Sequence, residues 1–339
     1  MQQAHVQSHP ARWKVVVAFT TVYLTWGTTY LAIREGVQFF PPALFGGVRL
    51  FCAGLVLFLI LAVRRHNLRI PLRELVSNSI VGILMFVGGN GLMTFGEVTV
   101  PSGLASLLAA TSPMWMAVLE LSLPRGSRLR PIGWAGLVLG LCGVLVLLTP
   151  GLEASSSLFA DTGPLLLMGS SICWSAGSVL ARYQPRSASH LTTGSWQLMF
   201  GGAIMTIYGL WRGEPALLTA DCFTPVAVYS FFHLLVFGSL LGFMSYHWLL
   251  GHVSAASAGT YAYVNPLIAV MAGWLFAGES LTAALGLGMI IILSGVALVR
   301  IGAKACRRPA LPITDVPRQT APVTEELRSL AIERAADSS

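Results

Sequence analysis

The sequence predicts an all-α polytopic membrane protein whose ten transmembrane helices form two inverted five-helix repeats. Composition, ten long apolar runs and an internal repeat predict this fold class. Of the 339 residues, 55% are hydrophobic and only 10% are charged, whereas an ordinary soluble domain has roughly 25% charged residues. So few charges cannot cover the surface of a soluble protein, and we infer that lipid surrounds most of the chain.

Ten apolar runs have the length that a membrane crossing requires. A helix needs roughly 20 residues to cross the hydrocarbon core. Unlike barrel strands, these runs do not alternate apolar with polar residues. No small-residue cleavage site follows the first run, so we expect a retained helix and not a signal peptide. The predicted helices are Trp13 to Ile33, Pro41 to Val63, Leu75 to Phe95, Val100 to Leu123, Ile132 to Thr149, Thr162 to Ala181, Leu191 to Trp211, Pro225 to Leu249, Ser254 to Ala277 and Leu281 to Ile301.

The second group of five helices repeats the first at an offset of about 150 residues. Trp26-Gly27 corresponds to Trp174-Ser175, Arg49-Leu50 to Gln197-Leu198, and Ser112-Pro113 to Asn265-Pro266. Because five is odd, the second copy enters the membrane from the opposite face, so the repeat is inverted. We expect a first repeat at 13–149, a connecting loop at 150–161 and a second repeat at 162–301. The tails, 1–12 and 302–339, are then cytoplasmic, with the second expected to be disordered.

Basic residues predict the orientation of the bundle. If the amino terminus is cytoplasmic, that face receives Arg12, Lys14, the basic loop residues at 64–73, 125–130 and 182–186, and every basic residue from Arg300 onward. The opposite face keeps only Arg34 and Arg212. This positive-inside pattern predicts that both termini are cytoplasmic, as in a bacterial-type inner membrane protein.

Arg49 is the only basic side chain deep inside a predicted helix. Burying a guanidinium at this depth costs at least about 2.5 kcal/mol, so it requires partners. It either faces a cavity and binds an anionic group such as a carboxylate, or it is a structural bridge to helix carbonyls, Asn90 or Glu97. The sequence leaves both interpretations open.

Several other side chains are candidates for a substrate-binding cavity near the midplane. Trp26 and Trp174 lie away from the interfacial belts, among small or hydroxylated residues, which favours an aromatic wall over tight packing. Asn90, Gln197 and Tyr261 supply polar groups at similar depth. We expect Glu120 to form an interfacial ion pair with Arg125 and Arg128.

Pro113 and Pro266 interrupt the fourth helix of each half, and each removes one backbone hydrogen bond. Their matching positions favour a gating role, although a packing kink is equally compatible. His233 lies inside the eighth helix and is a candidate for proton coupling, with an interhelical hydrogen bond as the plain alternative.

Other classes of protein fit poorly. The five cysteines lack metal-ligand spacing, so we expect no metal and no cofactor. No G-x-S-x-G, H-E-x-x-H or deep aspartate pair points to an intramembrane enzyme. The basic residues flank membrane helices, so we expect no nucleic-acid partner, and no charged ring or filter repeat indicates a channel.

The chain resembles the EamA-type members of the drug/metabolite transporter (DMT) superfamily. The resemblance rests on the two five-helix halves, Trp26-Gly27, Arg49, Pro113 and Pro266, and on the turn Gly278-Glu279-Ser280-Leu281-Thr282. The first half departs from it, with Pro124-Arg125-Gly126-Ser127 where the family has a second Gly-Glu turn. The resemblance implies a carrier of amino acids, other small metabolites or drugs, with its site between the halves.

From these observations we expect a secondary transporter that moves a small organic solute by alternating access. Efflux is the expected direction, with an uptake carrier or a channel-like facilitator of the same fold as the alternative. The expected partners are the lipid bilayer, a small-molecule substrate and a coupled proton. The sequence leaves the oligomeric state open.

Overall fold

The chain folds into consecutive helices that run between two ends of one bundle. The structure is a computed structural model and describes residues 11–100, 102–123, 126, 128–152, 162–184, 188–268 and 283–303. We call the end where Arg12 begins the first helix the amino-terminal end, and the other the opposite end. The predicted loop at 153–161, the turn at 278–282 and the tails at 1–10 and 304–339 lie outside the described residues.

The first half of the chain contains eight α-helices. They are separated by loops, short breaks and one π-helical segment. Their bounds are α1 Arg12–Gly27, α2 Thr29–Val37, α3 Pro42–Val63, α4 Leu72–Gly82, the π segment Ile83–Gly91, α5 Leu92–Gly96, α6 Ser102–Ala109, α7 Ser112–Leu121 and α8 Pro131–Leu152.

The second half follows the same plan. Its bounds are α9 Gly163–Tyr183, α10 His190–Trp211, α11 Pro225–His233, the π segment Leu234–Gly242, α12 Phe243–Leu250, α13 Ala255–Gly259, α14 at 261–268 and α15 Ala283–Gly302. Two short 3-10 turns, Glu214–Leu217 and Ala220–Phe223, connect α10 to α11. In the described part of the chain, extended pairing is limited to one bridge between Leu129 and Ala303.

Five helical stretches are long and apolar enough to cross a membrane by themselves. They are Arg12–Val37, Pro42–Val63, Leu72–Gly96, Gly163–Tyr183 and Pro225–Leu250. Large apolar side chains such as Val63, Leu165 and Ile290 are more than 60% exposed on the outside of the bundle. The molecule is therefore an all-helical, multi-pass membrane protein, and the count of ten crossings and their inverted order remain predictions.

Matching π-helical segments interrupt the third helix of each predicted repeat. Ile83–Gly91 contains the run Gly88-Gly89-Asn90-Gly91, and Leu234–Gly242 lies about 150 residues later. A π segment shifts the helical register and is frequent at functional sites. These segments bring Asn90, Gly238 and Ser239 to the centre of the bundle.

Two further breaks occur near the predicted prolines. The chain turns at Ala110 and Thr111, so Pro113 lies in the first turn of α7, where its missing N–H is tolerated. In the second half the break falls at Thr260, and Pro266 lies further along, within α14.

Glycines allow two helix pairs to approach closely. A Cβ atom on Gly136 of α8 would lie 2.6 Å from the backbone nitrogen of Val299 in α15, and one on Gly295 equally close to the nitrogen of Gly140. The pair α3 and α10 packs in the same way around Gly47 and Gly202. Small residues at such interfaces let helix backbones pack without a hydrophobic driving force.

Candidate functional site

A cavity lies at the centre of the bundle, between residues of both halves. Its lining includes five of the six predicted substrate-binding residues, which are Trp26, Arg49, Asn90, Trp174 and Tyr261. The cavity has a volume of about 70 Å³, which is below the usual range for a small-molecule pocket, so a bound solute requires the surrounding helices to move apart.

The guanidinium of Arg49 lies on one wall of the cavity and is 2% exposed. Its Nη2 donates to Oδ1 of Asn90 at 2.8 Å, and its Nη1 donates to Oγ of Ser239 at 3.2 Å. Nη1 also lies 3.5 Å from the carbonyl oxygen of Leu234, and Nε forms no hydrogen bond. The π segments therefore orient this guanidinium from both sides.

The partners of Arg49 carry no charge. No Asp or Glu is among the lining residues that the structure describes. Glu97, one of the predicted bridging partners, forms no hydrogen bond or ion pair with Arg49. Among the described residues the positive charge therefore lacks a counter-ion, and a buried charge without one is costly.

Aromatic rings form the wall next to the Arg49 guanidinium. The Trp26 ring centroid lies 4.6 Å from that of Tyr261, 5.0 Å from that of Tyr246 and 5.4 Å from that of Trp174. Trp26 Nε1 donates to the carbonyl oxygen of Gly238 at 2.9 Å, which fixes the ring against the second π segment. This wall can contact the apolar or planar part of a ligand.

Unpaired polar atoms surround the same space. In the described structure, Nε1 of Trp174 and both amide atoms of Asn265 are buried without a hydrogen bond of good geometry, although tyrosine hydroxyls lie within reach of both groups. Buried polar groups are normally paired with protein or water. These atoms are therefore available to a polar ligand or to solvent.

Gln197, the sixth predicted residue, lies outside the cavity lining. Its Nε2 donates to Oδ1 of Asn78 at 3.0 Å, and Nε2 of Gln184 donates to the same oxygen at 3.0 Å. All three side chains are buried. Through these hydrogen bonds the amide cluster connects α4, the end of α9 and α10, between the cavity and the amino-terminal end of the bundle.

His233 also lies outside the lining. Its Nε2 and Oγ1 of Thr28 share a hydrogen bond of 2.9 Å, and its ring stacks on Tyr229 at 5.7 Å. The imidazole thus connects α11, through a hydrogen bond, to the break between α1 and α2.

A buried ion pair connects α7 and α9 near the termini that lie at the amino-terminal end of the bundle. Arg182 Nε lies 3.2 Å from Oε1 of Glu120, and these residues are 6% and 1% exposed. The same Oε1 accepts hydrogen bonds from the hydroxyl of Tyr183 at 3.1 Å and from the backbone nitrogen of Ala255 at 3.3 Å. Among the described residues, Glu120 therefore pairs with Arg182 of the other half and forms no ion pair with the expected partner Arg128. The other expected partner, Arg125, lies outside the described residues.

Sequence reasoning did not select Ser239 or Asn265 as ligand-facing residues. Ser239 is one hydroxyl in an apolar run, and only the π segment turns it towards Arg49. Asn265 was noticed as a neighbour of Pro266, and its unpaired amide is visible only in the tertiary structure.

Known proteins are similar to this chain in sequence. A model of the family described as "EamA-like transporter family" matches residues 13–149 and, again, residues 161–301. The "Uncharacterized inner membrane transporter YedA" of Escherichia coli K12 is 34% identical over 288 residues, which cover 84% of this chain and 90% of that protein. The "Uncharacterized transporter YoaV" of Bacillus subtilis is 30% identical, covering 84% of this chain and 95% of that protein.

Two more distant similarities complete the comparison. A protein of Streptantibioticus cattleyicolor with the name "Probable terminal-alkyne amino-acid exporter" is 26% identical, covering 88% of this chain and 97% of that protein. One solved crystal structure is 21% identical, with a TM-score of 0.69, and covers 86% of this chain and 98% of its own. That structural similarity shows a common fold.

Proposed function

Because this chain belongs to the EamA-like transporter family, we propose that it exports a small organic solute with a carboxylate and an apolar or aromatic part. Membership confirms the resemblance read from the sequence. It makes the protein a membrane transporter and not an enzyme. The single observation that supports the proposed substrate class is the buried Arg49 guanidinium, whose partners are all neutral.

The charge of Arg49 favours an anionic group in the cavity. A carboxylate would supply the counter-ion that the lining lacks, and its two oxygens match the geometry of a guanidinium. Nε is the donor still free in the described structure. A purely cationic solute would instead meet an uncompensated positive charge.

The rest of the solute would lie against the aromatic wall. Trp26, Trp174 and Tyr261 supply ring faces next to Arg49, and Asn90 and Asn265 supply neutral polar groups. Charged and aromatic walls side by side suit an amino acid or a related carboxylate. The name of the Streptantibioticus relative mentions an amino acid, which supports the same class.

We propose that ten crossings form two inverted repeats that open the cavity to each side in turn. The family model matches the chain twice, and the two π segments lie at corresponding places. Arg34 and Arg182 also correspond. Arg34 donates to the carbonyls of Glu97 and Val98, and Arg182 donates to those of Leu250 and Val253.

The two ends of the bundle differ in one contact. Arg182 has a carboxylate partner in the other half, Glu120, whereas Arg34 bonds only to carbonyl oxygens among the described residues. We therefore assign this conformation as closed at the amino-terminal end, which the positive-inside rule makes cytoplasmic. Pro113 lies beside the break at which the fourth helix of the first half would bend, whereas Pro266 lies beyond the corresponding break, within α14.

Gln197 and His233 keep supporting roles in this proposal. Gln197 would hold the helices of the cytoplasmic half through Asn78. His233, which forms a hydrogen bond with Thr28, remains a candidate proton carrier.

Transport into proteoliposomes tests the substrate class. The panel comprises aromatic and aliphatic amino acids, the amines that lack their carboxylates, and cationic drugs, each with and without a pH gradient. Losing a hydrogen bond to a charged group costs about 1.5 to 3 kcal/mol, so Arg49→Ala should weaken carboxylate transport roughly 10- to 150-fold. Arg49→Lys should retain part of the carboxylate transport. The positive charge remains, but the planar guanidinium, which can bind both oxygens of a carboxylate, is lost.

Arg73→Ala is the matched control, because Arg73 is exposed at the amino-terminal end. Unchanged transport by Arg49→Ala, or a preference for the amines, would contradict the proposed site. Saturation and trans-stimulation are expected of a carrier, whereas large unitary currents would indicate a channel.

A further inference from the structure

Glu97 is a buried carboxyl group outside the proposed substrate contacts. It follows α5 directly, its side chain is fully buried, and neither carboxyl oxygen forms a hydrogen bond in the described structure. Arg34 donates to the backbone carbonyls of Glu97 and Val98 and forms no ion pair with the carboxyl group. An isolated carboxylate cannot be buried cheaply, so such a group takes up a proton instead.

One residue of the cavity wall lies within electrostatic range of the Glu97 carboxyl group. Tyr30, which lines the cavity and is 5% exposed, interacts with both Glu97 and Asn265. A phenol both donates and accepts hydrogen bonds, and the side-chain amide of Asn265 lies within reach of the Tyr30 hydroxyl. Tyr30 therefore belongs both to the cavity wall and to the electrostatic surroundings of the Glu97 carboxyl group, with which it forms no hydrogen bond.

Among the described residues, two ionisable groups act electrostatically on Glu97, both from α2. They are the guanidinium of Arg34 and the phenol of Tyr30. Burial raises the pKa of Glu97 well above its ordinary value, and the charge of Arg34 opposes that rise. Glu120 differs, since its carboxylate oxygen contacts Arg182, Tyr183 and the nitrogen of Ala255.

We propose that Glu97 is the proton-binding site of the transport cycle, occupied in the conformation described here and emptied when α2 and α5 separate. A proton from water binds the hydrated carboxylate, which then becomes buried as the neutral acid. When the helices separate again, water returns and the proton leaves. Because this conformation binds the proton more tightly than a hydrated one, lowering the pH favours it.

Infrared difference spectroscopy of the purified protein in lipid nanodiscs tests the site without any solute. The wild type should show the C=O band of a protonated carboxyl that disappears as the pH is raised. Glu97→Gln should lack this band, and Glu97→Asp should restore it. Glu35→Gln, which removes a half-buried carboxyl from the same end, should keep it. An identical titration in the wild type and in Glu97→Gln would overturn the proposal.

A second measurement tests coupling and rests on the proposed function. With a solute identified in the proteoliposome panel, Glu97→Gln should lose the effect of a pH gradient and keep solute exchange at equal pH. The role of Glu97 in coupling would be refuted if transport by Glu97→Gln still depended fully on the pH gradient. It would also be refuted if only His233→Asn lost that dependence. If wild-type vesicles transport nothing in the panel, the proposed function fails while the infrared result still stands.

Discussion

Breaking the ion pair between Glu120 and Arg182 should open the cytoplasmic side of the transporter. Glu120→Gln keeps the size of the side chain but removes its charge. Removing one partner of a buried ion pair costs about 3 to 5 kcal/mol. Arg182 would keep the carbonyl oxygens of Leu250 and Val253, so we expect a smaller cost of about 1 to 3 kcal/mol. This shifts the equilibrium between the two conformations roughly 5- to 150-fold.

Thiol labelling at position 178 measures this shift. Ser178 is fully buried, and its Oγ lies 2.8 Å from the hydroxyl of Tyr246, below the aromatic wall. With the native cysteines replaced, Ser178→Cys should react slowly with an impermeant reagent applied from the cytoplasmic side of inverted vesicles. Adding Glu120→Gln should accelerate labelling roughly 5- to 150-fold, in proportion to the shift in the conformational equilibrium.

Two further variants make this experiment decisive. Glu74→Gln removes a partly buried carboxyl at the same end of the bundle and should leave the labelling rate unchanged. The double variant Glu120→Gln with Arg182→Gln restores a neutral pair and should recover part of the closure. A labelling rate in Glu120→Gln within twofold of the parent would refute the role of this ion pair as a latch.

Two other predictions concern stability, measured as the midpoint of thermal unfolding in detergent. Gly136→Ala places a methyl group against the backbone of α15 and should destabilise the protein by about 1 to 3 kcal/mol, whereas Gly286→Ala, which meets only open space, should not. Trp26→Phe removes the hydrogen bond to Gly238 and should cost about 1 kcal/mol. Trp174→Phe removes an indole nitrogen that has no hydrogen bond of good geometry and should cost less stability. An equal loss in both variants would show that the ring contacts, and not the hydrogen bond to Gly238, account for the effect.

The helices that the sequence predicted are largely those of the structure. The predicted run Pro41 to Val63 matches α3, and Leu191 to Trp211 matches α10 within one residue. Such runs are readable because each helix must present a continuous apolar surface to lipid. The sequence did not indicate the break at Thr28 or the π helices, since both depend on which neighbouring groups satisfy the backbone.

The candidate site was predictable in its chemistry and less so in its geometry. Arg49, Trp26 and Trp174 stood out because an arginine or tryptophan at that depth is rare and costly, so each indicates a packed or polar surrounding. Gln197 lies at the same predicted depth in the membrane as Arg49 and occupies the corresponding position in the second repeat, yet its amide binds Asn78 outside the cavity. The depth of a side chain in the membrane follows from counting residues along the helix. The direction in which it points depends on how the helix is rotated relative to its neighbours.

The sequence by itself determined the solvent of this protein, its helical class and its family, because hydrophobic length and internal repetition are written along the chain. The tertiary structure alone decided which polar groups are satisfied and which are not. Arg49 with neutral partners, Glu97 with unpaired oxygens and Glu120 paired to Arg182 all depend on contacts between distant segments. In a low-dielectric interior such pairing decides which charges can persist, and therefore where an anion and a proton can bind.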